Sequence, residues 1–160
     1  MSTGLSNEDI TAVYRMKGKL FAQLLERGDL APRKGLLSLL ERCSDLGIFL
    51  GWVTTTSEDN VQAIRKALEG QVNFGIFDFI FDSKDCSKSK PNPEIYLEAI
   101  KCHNLEPATT VAIEDSFSGV SSAKEAGIYC IATPGEFKRP QNYERADLCI
   151  EDLEELEIVV

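Results

Sequence analysis

Apolar positions change period along the chain, and each change marks an element. From about Asn7 to Arg27, Ile10, Val13, Tyr14, Leu20, Phe21, Leu24 and Leu25 fall mostly on one side of a predicted helix, ended by Gly28. Pro32 is the expected first residue of a second helix, with Leu36, Leu37, Leu39, Leu40, Cys43 and Leu46 as its apolar set and Gly47 as its stop. Ile48 to Thr54 then reads as a short, almost wholly apolar strand of the kind covered on both faces. The hydroxyls Thr54, Thr55, Thr56 and Ser57 follow it, and one of the last two is expected to cap a helix from about Glu58 to Glu69. Phe74 to Phe81 is a third apolar segment, taken as a strand, and Asp82 to Lys90 is a polar loop with three lysines.

Pro91-Asn92-Pro93 opens the next predicted helix, which runs to about Asn104 with Ile95, Tyr96, Ala99, Ile100 and Cys102 mainly inward. Thr109 to Ile113 is a strand that ends in Glu114-Asp115, and Ser116 to Gly119 lead into a helix carrying Val120, Ala123 and Ala126. A strand over Ile128 to Ala132, a loop from Thr133 to about Ala146, a short strand over Asp147 to Ile150 and a terminal helix complete the chain. Strand and helix alternate from Ile48 onward, so the expected fold is α/β, a doubly wound, Rossmann-like parallel sheet with helices on both faces. Residues 32–160 form the predicted core, and residues 1–31 an appendage to it.

Composition narrows the function. One hundred and sixty residues, 43% hydrophobic, suit one globular domain. A net charge of −9 disfavours contact with nucleic acid or an anionic membrane surface but leaves room for a small anionic substrate. No apolar run approaches the roughly 18 residues of a membrane span. Five cysteines without a Cys-x-x-Cys spacing read as buried thiols in a reducing cytoplasm.

In an open α/β sheet, ligands sit at the carboxyl ends of strands, so Glu114-Asp115 is a candidate site for a hard cation such as Mg²⁺. Taken alone, the pair reads first as a solvated turn that caps the next helix. His103, the sole histidine, reads as structural or solvated, and Trp52 as core. Lys84, Lys88, Lys138 and Arg139 read as solvated charges, with Arg139 in a loop able to approach the site.

Three features follow one another: Val53-Thr54-Thr55-Thr56-Ser57 at a strand end, Lys-Pro-x-Pro-x-x-Tyr over Lys90 to Tyr96, and Ile-Glu-Asp-Ser-x-x-Gly over Ile113 to Gly119. This ordered set resembles the haloacid dehalogenase (HAD) superfamily of phosphohydrolases and mutases, nearest its CbbY-type sugar-bisphosphate phosphatases. The resemblance runs on through Ala126-Gly127-Ile128 and Thr133-Pro134. It implies that Thr54 and the Thr55 amide bind phosphate, that Lys90 ties phosphate to the acids, and that Asp115, supported by Glu114, holds Mg²⁺. Residues 1–31 would then be the end of a helical cap and its linker.

The same resemblance calls for an Asp-x-Asp-Gly-Thr nucleophile motif on a central first strand, and no Asp-x-Asp occurs in these 160 residues. That strand and most of the cap are therefore expected to be absent, leaving a scaffold weakly active or inactive in isolation. Strands lie about 4.8 Å apart, so a missing one leaves a slot of roughly 10 Å lined with unpaired backbone. Direct pairing of the strands ending at Thr54 and Asp115 is the favoured way to close it. A second copy of the chain, or a complementing N-terminal fragment, is the next. Two further readings stand beside the enzyme. One is a non-catalytic α/β domain that binds a ligand or partner, and the other a response-regulator-like phosphoacceptor, which Lys-Pro-x-Pro and Ser-x-x-Gly disfavour.

Overall fold

The computed structural model describes residues 4, 6–26, 28, 30–135 and 143–159. Its strands are β1 (Gly51–Val53), β2 (Phe79–Phe81), β3 (Val111–Glu114), β4 (Tyr129–Ala132) and β5 (Leu148–Cys149). Its α-helices are α1 (Asn7–Glu26), α2 (Leu36–Asp45), α3 (Glu58–Ala67), α4 (Glu94–His103) and α5 (Phe117–Glu125). Every strand pairing is parallel, as an alternating α/β pattern requires.

The pairings form two ladders, β1-β2 and β3-β4-β5, and none joins β1 to β3 among the described residues. Direct closure of the slot, favoured from sequence, is therefore not what the chain does. Thr54 N–H bonds Phe81 O, and Asp78 N–H bonds Leu50 O, so even-numbered residues of this stretch face β2. Gly51 and Val53 turn their backbone groups the other way, as Val111 and Ile113 do on β3. A side chain spans the break instead: the Lys90 ammonium donates to Val53 O at 3.0 Å.

Helices pack on both sides of the sheet, although Val111, Ile113 and Tyr129 on its strands stay exposed. On one side, Ile95, Tyr96 and Ala99 of α4 and Val120 and Ala123 of α5 pack on Ala112, Cys130 and Ala132, with Val53 and Phe81 at the margin. On the other, Leu40 of α2 and Ile64 of α3 meet Leu68, Val72, Leu50, Phe74 and Phe77. Ile131, Ile150 and Leu153 pack against Leu36 and Leu39. The α1 helix lies along α3 with Leu25 buried, while Ile10, Val13, Met16, Leu20 and Leu24 are exposed.

Several boundaries differ from the sequence pattern, each for a local reason. The second helix opens at Leu36 rather than Pro32, because Gly35, at φ 82, turns the chain hard against Leu153 and Glu154. A Cβ on Gly35 would sit 2.5 Å from Glu154 N. Only the end of the Phe74 to Phe81 run is strand, since Asn73 accepts from Gly75 N–H and starts a 3₁₀ turn over Phe74–Ile76. The C-terminal segment holds a capped 3₁₀ turn, Leu153–Glu155, in place of a helix. Cys102 and Cys149 are exposed and Cys86 is half-buried, so only Cys43 and Cys130 are buried thiols.

Candidate functional site at the break in the sheet

Just past β1, Thr54 keeps its N–H on Phe81 O, and its Oγ1 accepts from Thr56 N–H at 3.2 Å. Thr55 follows, half-buried. Capping of α3 falls to Ser57, whose hydroxyl accepts from Asn60 N–H at 3.4 Å. Thr54 is thus not the helix cap, and its side chain stays in the turn at the carboxyl end of the strand.

At the end of β3, Glu114 and Asp115 diverge. Glu114 is 8% exposed and points in toward α4 and α5. Its Oε1 takes the Lys90 ammonium at 2.6 Å and also accepts the Tyr96 hydroxyl. Its Oε2 lies over Gly119, where a Cβ would stand 1.9 Å away. The glycine of the Glu-Asp-Ser-x-x-Gly run is therefore the one residue whose lack of a side chain admits the carboxylate. Ser116 caps α5 in the same turn, accepting from Gly119 N–H at 3.1 Å. Asp115 is exposed, and its carbonyl accepts from the Tyr143 hydroxyl at 2.8 Å.

Lys90 joins the two ends. It contacts the residue before Thr54 and the residue before Asp115, with side-chain exposure of 11% against 9% for Glu114. The ammonium also lies 4.6 Å from the centroid of the Tyr96 ring. Burial, followed by the charge and hydrogen bond of Glu114, pushes the Tyr96 hydroxyl well above its ordinary range, so it stays protonated and donates.

The donor chemistry fits a hard cation through Asp115, since Mg²⁺ is commonly held by one or two carboxylates together with waters and substrate phosphate. Glu114, expected to support the metal, has one oxygen engaged by Lys90 and Tyr96 and the other packed on Gly119. Among the described residues no cluster of three or more His, Cys, Asp or Glu side chains has metal-binding geometry.

Sequence reasoning placed Tyr96 inward without giving it a role, and did not find Tyr143 or Arg33. Arg33 donates to the carbonyls of Thr133 at 2.5 Å and Pro134 at 2.8 Å, fixing the chain as it leaves β4. The Tyr of Lys-Pro-x-Pro-x-x-Tyr, six residues beyond the lysine and on the first turn of α4, is the signal that could have pointed to the Tyr96 contact. His103 stacks on Phe79 at 4.1 Å, well inside an aromatic cluster with Phe49 and Phe81. Lys84 pairs with Glu58 at the surface, while Lys138 and Arg139 lie outside the described residues.

A model of haloacid dehalogenase-like hydrolases matches residues 4–133. Protein CbbY of Cereibacter sphaeroides is 35% identical over 92% of this chain and 64% of its own length. Protein CbbY of Rhodobacter capsulatus is 31% identical over 96% of this chain and 67% of its own. The crystal structure of a CbbY variant from Rhodobacter sphaeroides in complex with xylulose-1,5-bisphosphate superposes with a TM-score of 0.82 at 34% identity, over 94% of this chain and 67% of that one. The chain thus spans about two thirds of the length of these relatives. No described helix is long and apolar enough to cross a membrane.

Proposed function

The chain belongs to the haloacid dehalogenase-like hydrolase family, with CbbY-type relatives, and on that premise we propose that it holds a small phosphorylated metabolite, of the sugar-phosphate class, at the break between β1 and β3. The observation that supports this reading is the seat of Lys90, 3.0 Å from Val53 O and 2.6 Å from Glu114 Oε1, which draws three distant motifs to one place. In the proposed complex the Thr54 hydroxyl and Thr55 amide donate to phosphate oxygens, and Lys90 neutralises them. Transferred phosphoryl groups carry charge on their outer oxygens, so donors already fixed by the fold stabilise them without reorganisation. Mg²⁺, held through Asp115, would supply the remaining positive charge.

Hydrolysis by this family's route needs a carboxylate to attack phosphorus, and these 160 residues contain no Asp-x-Asp. The proposed activity of the chain by itself is therefore weak or nil, with turnover restored when a strand bearing that motif occupies the break. Calorimetry with inorganic phosphate and Mg²⁺ tests the binding half: saturable heat is expected from the wild type, and its loss from Thr54→Val and Asp115→Ala. Absence of heat from the folded wild type would overturn the reading. Turnover of xylulose-1,5-bisphosphate by the isolated chain above the Asp115→Ala background would overturn the inactivity.

A further inference from the structure

We propose that Tyr96 is a positioning residue, its hydroxyl and ring holding the Lys90 ammonium between Val53 and Glu114 across the break in the sheet. The proposal deepens the phosphate-site reading and rests on it for the role given to Lys90. A lysine has a flexible four-carbon stem and three donors that can rotate, so nothing in the residue itself aims its charge. Here Tyr96 touches both members of the ion pair. Its hydroxyl donates to the same Glu114 oxygen that receives Lys90, and it lies 3.5 Å from the ammonium. Sharing that oxygen, with Gly119 against the other, leaves the carboxylate no room to turn and draw the lysine inward. The ring face, 4.6 Å from the ammonium, closes the remaining side. The donor left over points along the strand ends to Val53 O, next to Thr54.

Tyr96 is fixed well enough to act this way. It is 7% exposed, on the first turn of α4 behind Pro93, beside Ile95 at 0% exposure. The variant Tyr96→Phe keeps the ring and removes only the hydroxyl. Ile95→Val is the packing control, since Ile95 touches the same core and carries no polar group.

Two readouts test the proposal. In ¹⁵N-lysine spectra of the wild type, Lys90, assigned through Lys90→Arg, should show an ammonium in slow exchange with water and an ε-methylene shifted upfield by the ring. Tyr96→Phe should raise that exchange by about fivefold, the worth of one ordinary hydrogen bond, and weaken inorganic phosphate by about the same factor in the presence of Mg²⁺. Ile95→Val should change neither. Tyr96→Phe with wild-type ammonium exchange, or a wild-type ε-methylene at its random-coil position, overturns the proposal. If the wild type binds no phosphate, the functional reading falls, and the ammonium exchange still decides whether Tyr96 holds Lys90.

Discussion

The two half-sheets, bridged at their break by Lys90, are built differently. In the β3-β4-β5 half, Ala123, Ile128, Cys130 and Ala132 are at most 1% exposed where α4 and α5 pack on the strands, while Val111, Ile113, Tyr129 and Leu148 stay exposed. In the β1-β2 half every strand residue is half-buried or exposed, and the packing is aromatic: Trp52 stacks on Phe74 at 5.7 Å, and Phe79 meets Phe81 at 5.4 Å. The dense half carries the acids and the loose half the hydroxyls. Stability is thus concentrated on one side of a site that needs both, and the two sides are joined by Lys90, by Val53 and Phe81 at the core margin and by Leu36 of α2, which packs on both.

Cutting the link should have the largest effect. Lys90→Met leaves the buried Glu114 carboxylate without its cation and should cost about 3–5 kcal/mol in chemical denaturation. A loss under 1 kcal/mol would mean that the two halves are held by packing alone. Within the halves, Ile128→Ala should cost about 2–5 kcal/mol, whereas Phe79→Ala, in the half-buried strand, should cost about 1–2 kcal/mol. Equal losses would contradict the contrast drawn between them.

The smallest effect concerns Cys130, whose thiol is pushed from 9.0 up to about 11, chiefly by burial and then by the Glu114 charge. A raised pKa means that the fold favours the protonated thiol. That contribution is complete below 9.0 and is lost as pH rises through about 11, so stability should fall across this window in wild type more than in Cys130→Ala. Thiol labelling at pH 8 sharpens the point: Cys102 and Cys149, both exposed, should react, and Cys130 should not until the protein unfolds.

Much of this was legible because hydrophobic period and strand-end chemistry are local signals. The run into Glu114-Asp115, the helix from Glu58 and the parallel alternation all came from residues within a few positions of one another. The misses are long-range. Gly35 delays α2 because Leu153 and Glu154, far along the chain, press on it. Cys102 sits in an apolar pattern yet faces solvent, since α4 buries only Ile95, Tyr96 and Ala99 fully. Direct closure of β1 onto β3 was expected because Met1 to Gly4 is too short and polar to fill the slot, without allowing for a lysine that takes Val53 O for itself. At the site, the order of Thr54, Lys90 and Asp115 was visible in sequence. The sharing of one Glu114 oxygen by Lys90 and Tyr96 was not, because only the packing of α4 on β3 brings it about.

The central claim is that the two strand ends form one phosphate seat. A crystal structure of this chain grown with phosphate and Mg²⁺ tests it most directly. The account predicts a phosphate against the Thr54 hydroxyl, the Thr55 amide and the Lys90 ammonium, with the cation on Asp115. A phosphate bound elsewhere, or a Lys90 still on Val53 and Glu114 beside a pocket that excludes the anion, would contradict it.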